Sequence, residues 1–201
     1  MRYDLEVIAS LVEPGATVLD LGCGEGDLLD LLRRERGVKG SGIEKHEDEV
    51  SRSIARGLTV LQGDFNQEIA DYADGRFDYV ILSQTLQQVF APDQLLREML
   101  RVGRRGIVSF PNFGHWAIRL QLLLAGVAPI SRSLPYEWYD TPNIRVITLK
   151  DFRQFARKKG FRILTEIDID TDARQAKGRI VRVAANLRAT YGIFLIGQQS
   201  A

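Results

Sequence analysis

Short apolar runs alternate along the chain with stretches whose apolar residues recur every third or fourth position. The first kind covers residues 16–21 (ATVLDL), 39–43 (KGSGI), 58–61 (LTVL), 77–82 (FDYVIL) and 106–110 (GIVSF), and each reads as a strand. Near-continuous apolarity over a short run is what a strand covered on both faces needs. Between them lie helical patterns. Residues 26–36 turn Leu28, Leu29, Leu31 and Leu32 inward, residues 46–56 are closed by Gly57, and a third helix runs from Pro92 to about Val102 with Leu95, Leu96, Met99 and Leu100 inward. Strands alternating with helices predict right-handed βαβ units on a parallel sheet, an α/β architecture with helices on both faces.

The alternation changes after Pro111. A helix over 148–160 (TLKDFRQFARKKG) leads into FRILTEIDI (161–169), then a charged stretch, then ATYGIFLIGQ (189–198). No helix separates the last two runs, so they are expected as an antiparallel pair at the sheet edge. Residues 113–147 are an insertion, a helical GHWAIRLQLLLAG followed by an aromatic, proline-punctuated loop. Such excursions serve as lids or contact surfaces, or the helix simply packs on the core; both readings stay open. The whole chain, 1–201, is expected to be one domain.

Composition narrows the picture only modestly. The 201 residues are 45% hydrophobic and 26% charged, with a net charge of +1. That balance provides no bulk field for nucleic acid or acidic membranes. A single cysteine excludes an internal disulfide and points to a reducing, cytoplasmic setting. Asp4 and Glu6 interrupt the N-terminal MRYDLEVIASLV, which is not expected to be a signal peptide. No apolar stretch reaches the ~18 residues of a membrane span. Two histidines and one cysteine do not support a metal site.

The chemistry begins at VLDLGCGEGDLLDLL, residues 18–32. Gly22, Gly24 and Gly26 follow a strand and open a helix, the carboxyl end where open α/β sheets bind ligands. Glycine lets a ligand touch the backbone. The spacing is GxGxG, not the GxGxxG of dinucleotide folds. Asp20 decides the ligand's charge. A pyrophosphate would be repelled by about 1 kcal/mol or more at close range, whereas an ammonium or sulfonium would be attracted. Glu25 acts in the same sense. Glu44, ending the second strand, can bridge two ribose hydroxyls. Asp64, after Gly63, can accept from the exocyclic amine of an adenine. Together these describe a nucleoside with a cationic amino-acid tail, S-adenosylmethionine.

VLDLGCGEGDLL, GSGIEKHED, LQGDFNQ and FDYVILSQTLQQV resemble, in order, the binding motifs of class I S-adenosylmethionine-dependent methyltransferases. The resemblance implies a three-layer Rossmann-like sheet, mostly parallel. It implies that Asp20, Gly22 and Gly24 contact the methionine part, that Glu44 binds the ribose and that Asp64 reaches the adenine. Cys23, Gly26, Lys45, Gly63, Phe65, Ser83 and Gln84 complete the expected cofactor-binding set for S-adenosylmethionine or S-adenosylhomocysteine. A narrower resemblance covers nearly the whole chain. The start through GDLL, DYVILSQTLQQV, VSFPNFGHWAIRLQLLLAG and LPYEWYDTPNIRVITLKDFRQF look like the MetW family of methionine-biosynthesis proteins. That family is associated with homoserine O-acyltransferase of the MetX type, which is the implied partner. The tail after about residue 172 departs from the pattern.

No catalytic residue is assigned. Cys23 reads as a small buried residue with nothing basic beside it to activate it, and His46 as a surface residue. His115, after the PNFG turn, suits a base or orienter and a structural role equally. Trp116, Tyr136, Trp138 and Tyr139 could stack on a substrate, face a partner or pack the insertion. Arg174, Lys177, Arg179, Arg182 and Arg188, preceded by Asp168, Asp170 and Asp172, read as a solvated edge. No GxSxG elbow is present, so acyl transfer is not expected from this chain. The run after strand four lacks the Asn/Asp-Pro-Pro-aromatic motif of nucleobase methyltransferases. The expected function is an accessory or regulatory subunit that holds the cofactor; the alternative is an active methyltransferase on a small acceptor.

Overall fold

The computed structural model describes residues 2–131, 134–171 and 176–198; Asp172 and Arg174 of the charged stretch lie outside them. The chain opens with α1 (Tyr3–Ser10), β1 (Thr17–Leu21), α2 (Asp27–Arg36), β2 (Lys39–Glu44), α3 (Glu47–Ala55), β3 (Thr59–Gln62) and the short α4 (Phe65–Glu68). It continues through β4 (Phe77–Ser83), α5 (Pro92–Val102), β5 (Gly103–Pro111) and α6 (Trp116–Ala125). It ends with α7 (Leu149–Lys159), β6 (Phe161–Thr171), β7 (Gly178–Ile180), the one-turn α8 (Ala185–Arg188) and β8 (Tyr191–Gln198).

Local signals set these boundaries. α2 starts behind Gly26 and stops at Gly37, both in the left-handed region, with Arg33, Arg34 and Arg36 at its negative end. α5 has proline in its first turn. Thr148 and Asp151 close a reciprocal capping box on α7, and Gly160 ends it. α1 was not expected from the sequence. Its signal is the spacing of Leu5, Ile8, Ala9 and Val12, all buried against α2 and the sheet.

Among the described residues eight strands form one sheet in the order β3-β2-β1-β4-β5-β8-β6-β7. β1 to β5 are mutually parallel. β8 runs antiparallel to both β5 and β6. The expected antiparallel pair, β6 with β8, therefore lies beyond β5 on that side of the sheet, with β8 as its inner member between β5 and β6. The composition of β8 explains this: all of Tyr191–Gly197 is buried, which only an interior strand permits. The exposed, three-residue β7 takes the edge instead, and such short strands blunt an edge against stray pairing.

One apolar layer lies between the sheet and α1 and α2, through Ile8, Leu31, Leu32, Tyr79, Ile107 and Ile193. The other lies under α5 and α7, where Phe110, Phe152 and Phe194 meet with ring centroids 4.5–5.6 Å apart. The insertion departs from both layers. α6 forms as expected, but Ile118 is the one residue of it that is buried. The reading of α6 as a helix packed on the core is set aside: its leucines face outward.

Candidate functional site

β1 lies between β2 and β4, so successive crossovers leave it in opposite directions. Ligands of open α/β sheets sit in the crevice this opens beyond the carboxyl ends of the strands. The expected site residues fall at that end. β1 ends at Leu21 and the glycine loop follows. Gly22 and Cys23 donate their N–H groups to the carbonyl of Ile43 on β2, at 2.8 and 3.2 Å. Gly22, Gly24 and Gly26 all adopt positive φ.

The three glycines do different work. A Cβ on Gly22 would stand 3.3 Å from Thr85 Oγ1 and 3.7 Å from the Phe65 ring, so the loop abuts both later segments. At Gly24 the nearest atom is Glu49 Oε2 at 3.7 Å, and the glycine requirement is conformational, with φ at +56°. At Gly26 a Cβ would collide with Leu58 and press on Ser53, which is a packing constraint between α2 and α3. Gly42 on β2 makes room for Cys23, whose Sγ would lie 2.4 Å from an added Cβ. Burial first, then Asp20 and Glu44, pushes the Cys23 thiol up, so it is an inert filler.

Asp20 is 2% exposed, and its Oδ1 has no hydrogen-bond partner among the described residues. Burial, reinforced by Glu44, raises its pKa to about 7. Buried polar atoms are ordinarily paired. Burial and Glu44 also raise Glu49. Three carboxylates on one loop system make the crevice acidic, the opposite of a pyrophosphate cradle.

Glu44 is buried and already engaged. Its Oε2 accepts from the Gly24 N–H at 2.9 Å, and its Oε1 from Lys45 N–H at 2.7 Å and His46 N–H at 2.9 Å. The carboxylate thus fixes the loop and the start of α3 while keeping one acceptor direction open. The Lys45 side chain is exposed. Gly63 donates to the Glu44 carbonyl at 2.9 Å, tying β3's exit to β2's. Asp64 caps α4, accepting from the N–H and Nδ2 of Asn66 at 2.9 and 2.8 Å. Ser83 Oγ pairs with Ser109 Oγ at 3.2 Å, toward β5. Gln84 holds φ at +54°, which a non-glycine adopts at a cost of about 1–3 kcal/mol and which concentrates at functional sites.

Some contributors had no sequence signal as a site. The Gln84 side chain donates to Asp4 of α1, which is 1% exposed and also pairs with Arg2 at 2.7 Å. Ser53 Oγ donates to the Gly24 carbonyl at 3.0 Å. Both contacts join segments far apart in sequence. His115 caps α6, its Nδ1 accepting from Ala117 N–H at 3.4 Å. Burial lowers its pKa. A separate cleft of about 840 Å³ opens beside β6 and α8. Arg153 there pairs with Glu166 at 2.6 Å and approaches Asp168 Oδ2 at 3.4 Å, while the buried Asp168 Oδ1 has no hydrogen-bond partner among the described residues. Among the described residues no helix is long and apolar enough to cross a membrane.

Glu44→Gln is expected to weaken nucleoside binding by about 1–3 kcal/mol, because an amide cannot accept from three N–H groups at once. Calorimetry checks this. An unchanged dissociation constant would remove Glu44 from the ligand's surroundings.

The sheet is one that S-adenosylmethionine-dependent methyltransferases use. A SAM-dependent methyltransferase of Thermotoga maritima superposes with a TM-score of 0.70 over 98% of this chain and 88% of its own, at 16% identity. The cyclase SpnF superposes with a TM-score of 0.66 over 98% of this chain and 81% of its own, at 19% identity. The second name shows that the sheet does not dictate the reaction. In sequence, the bifunctional methionine biosynthesis protein MetXA/MetW of Rhodopirellula baltica is 35% identical over 184 residues, 87% of this chain. The match spans 30% of that protein's length. The profile of the family described as "Methionine biosynthesis protein MetW" matches residues 2–196. The chain belongs to the MetW family, on a class I methyltransferase sheet.

Proposed function

We propose that this protein holds S-adenosylmethionine, or its demethylated product S-adenosylhomocysteine, and supports a MetX-type homoserine O-acyltransferase in the cytoplasm as an accessory or regulatory subunit. The observation that carries the cofactor assignment is the unpartnered Asp20 carboxylate in an acidic, glycine-lined crevice. Asp20 with the backbone of Gly22, Cys23 and Gly24 would take the methionine part. Glu44 would take the ribose through its remaining acceptor direction, with Lys45 at the rim. Gly63, Asp64 and Phe65 would flank the adenine, and Ser83 and Gln84 would close the β4 side. Gly26 serves by holding the loop's shape. When bound, the cofactor supplies a methyl group activated on a sulfonium.

The partner assignment is supported by the Rhodopirellula relative, whose name joins MetXA and MetW in one chain. Fusion of two functions keeps them at a high effective concentration. A second reading, methyl transfer to a small acceptor, has one observation in its favour. Burial keeps the His115 imidazole neutral at the exit of β5; with Nδ1 accepting from Ala117 N–H, its Nε2–H could donate to and orient an acceptor.

The test is co-purification with the acyltransferase, with acyl-transfer assays of each protein alone and of both together. Association with raised acyl-transfer rate or soluble yield supports the accessory role. No association, with methylation of a small acceptor by this chain alone, replaces it with the methyltransferase reading.

A further inference from the structure

α6 is an unusual surface helix. In WAIRLQLLLA the one charged residue is Arg119, and its guanidinium turns back to the carbonyls of Gly114, at 2.6 Å, and Asn186, at 3.5 Å. Leu123 and Leu124 are 79% and 75% exposed. Further along the same insertion, Trp138 and Tyr139 are 74% and 71% exposed and pack edge-to-face on each other, 5.7 Å between centroids. Monomeric soluble proteins rarely leave so many large apolar side chains uncovered in one segment, and such patches mark interaction sites. Trp and Tyr are also the residues that most often anchor interfaces.

The insertion is tied to the cofactor side of the molecule. The carbonyl of Gln87 accepts from the N–H groups of Ile144 and Arg145, both at 3.0 Å. The Gln87 side chain in turn donates to the carbonyl of Gln84 at 2.6 Å. Arg145 also reaches the carbonyls of Val89, at 3.4 Å, and Phe90. The return of the insertion is thus pinned to the loop that follows β4.

We infer that the exposed face of α6, together with Trp138 and Tyr139, is the surface on which a homoserine O-acyltransferase docks. This rests on the reading that such an enzyme is the partner. Two features argue for a protein and against a lipid surface. Helices that lie in a membrane interface carry Lys and Arg along their polar face, and α6 offers none free. The relative whose name joins MetXA and MetW carries a sequence matching 87% of this chain within one longer polypeptide; the match spans 30% of that polypeptide, and the rest could supply a partner for this face. The anchoring of the insertion through Gln87 makes docking able to sense the cofactor, and any such effect must be reciprocal.

The experiment compares the full-length chain with its Leu123→Asp/Leu124→Asp variant, and in parallel with Trp138→Ser. Each is titrated with purified MetX-type homoserine O-acyltransferase, with S-adenosylmethionine, and with phosphatidylcholine/phosphatidylglycerol vesicles, and each is sized by light scattering. Both leucines are solvent-facing, so the double variant folds, and unchanged S-adenosylmethionine binding verifies that. The expected result is acyltransferase affinity weakened at least about 30-fold in the double variant and by about 10-fold or more in Trp138→Ser. If the parent binds the acyltransferase and both variants bind it equally well, the surface assignment is wrong while the partner reading stands. If the parent does not bind the acyltransferase at all, the partner reading fails and the inference falls with it. Loss of self-association or of vesicle binding in the variants, with acyltransferase binding intact, assigns the face to a second copy or to lipid and overturns the proposal.

Discussion

At pH 8 the Asp20→Asn variant is expected to be more stable than the parent while losing most of its affinity for S-adenosylmethionine. The ordinary carboxylate value is 3.8, and in the folded protein burial and then Glu44 raise Asp20 to about 7. Between those values the folded chain keeps a proton that the unfolded chain has released. Stability therefore falls as pH climbs from about 4 to about 7, and above that the full cost is present, up to about 4 kcal/mol. Asparagine carries no charge and escapes that cost. The same carboxylate is what a cationic tail would use, so the variant gains stability by discarding its ligand. In the parent, protons compete with the cation, and the dissociation constant should rise roughly 10-fold between pH 7.5 and pH 6. Urea unfolding at pH 5 and pH 8 measures the first effect. A variant less stable than the parent at pH 8, or with undiminished binding, would show that Asp20 has a structural partner instead.

The second large effect is expected at Asn112, just beyond β5. The residue is 1% exposed, and its side chain makes four hydrogen bonds. Nδ2 donates to the carbonyls of Asn186 at 3.2 Å and Ala189 at 2.8 Å. Oδ1 accepts from the N–H groups of Gly114 at 2.9 Å and Leu149 at 3.4 Å. One side chain thereby joins the exit of β5, the start of α7 and the turn before β8. Alanine would strand these backbone groups where water reaches them poorly, at about 1 kcal/mol or more apiece. Asn112→Ala should destabilise the fold by about 3–5 kcal/mol, a large share of a domain's total stability. The measurement is the urea midpoint, which should fall with the slope unchanged. A loss below about 1 kcal/mol would mean that the segments hold together without it.

Asn112 also illustrates what a single sequence hides. The strands β1 to β5 and the helices α2, α3 and α5 announce themselves because their apolar patterns are local in sequence, even though β3, at the sheet edge, is mostly exposed. The glycine loop, Asp20 and Glu44 announce themselves because a turn needs glycine and an apolar strand has little other reason to end in an acid. β8's place between β5 and β6 depends instead on a long-range choice among edges. Its uninterrupted apolar run is the one clue; the lack of a helix between it and the preceding run predicts the antiparallel pair but not which member lies inside. Asp4 and Ser53 reach the site only through folding, Asp4 by a contact with Gln84, eighty positions away. The exposure of α6 could not be read at all. Leucine-rich periodicity looks the same whether a helix faces its own core or a partner.

Calorimetric titration of the full chain with S-adenosylmethionine, at pH 6 and pH 8 and with NAD as the control ligand, tests the central claim most directly. The account predicts saturable binding of S-adenosylmethionine that tightens by up to about 10-fold at the higher pH, and no binding of NAD. Tight NAD binding, or no heat from S-adenosylmethionine at either pH with the acyltransferase absent or present, would contradict it.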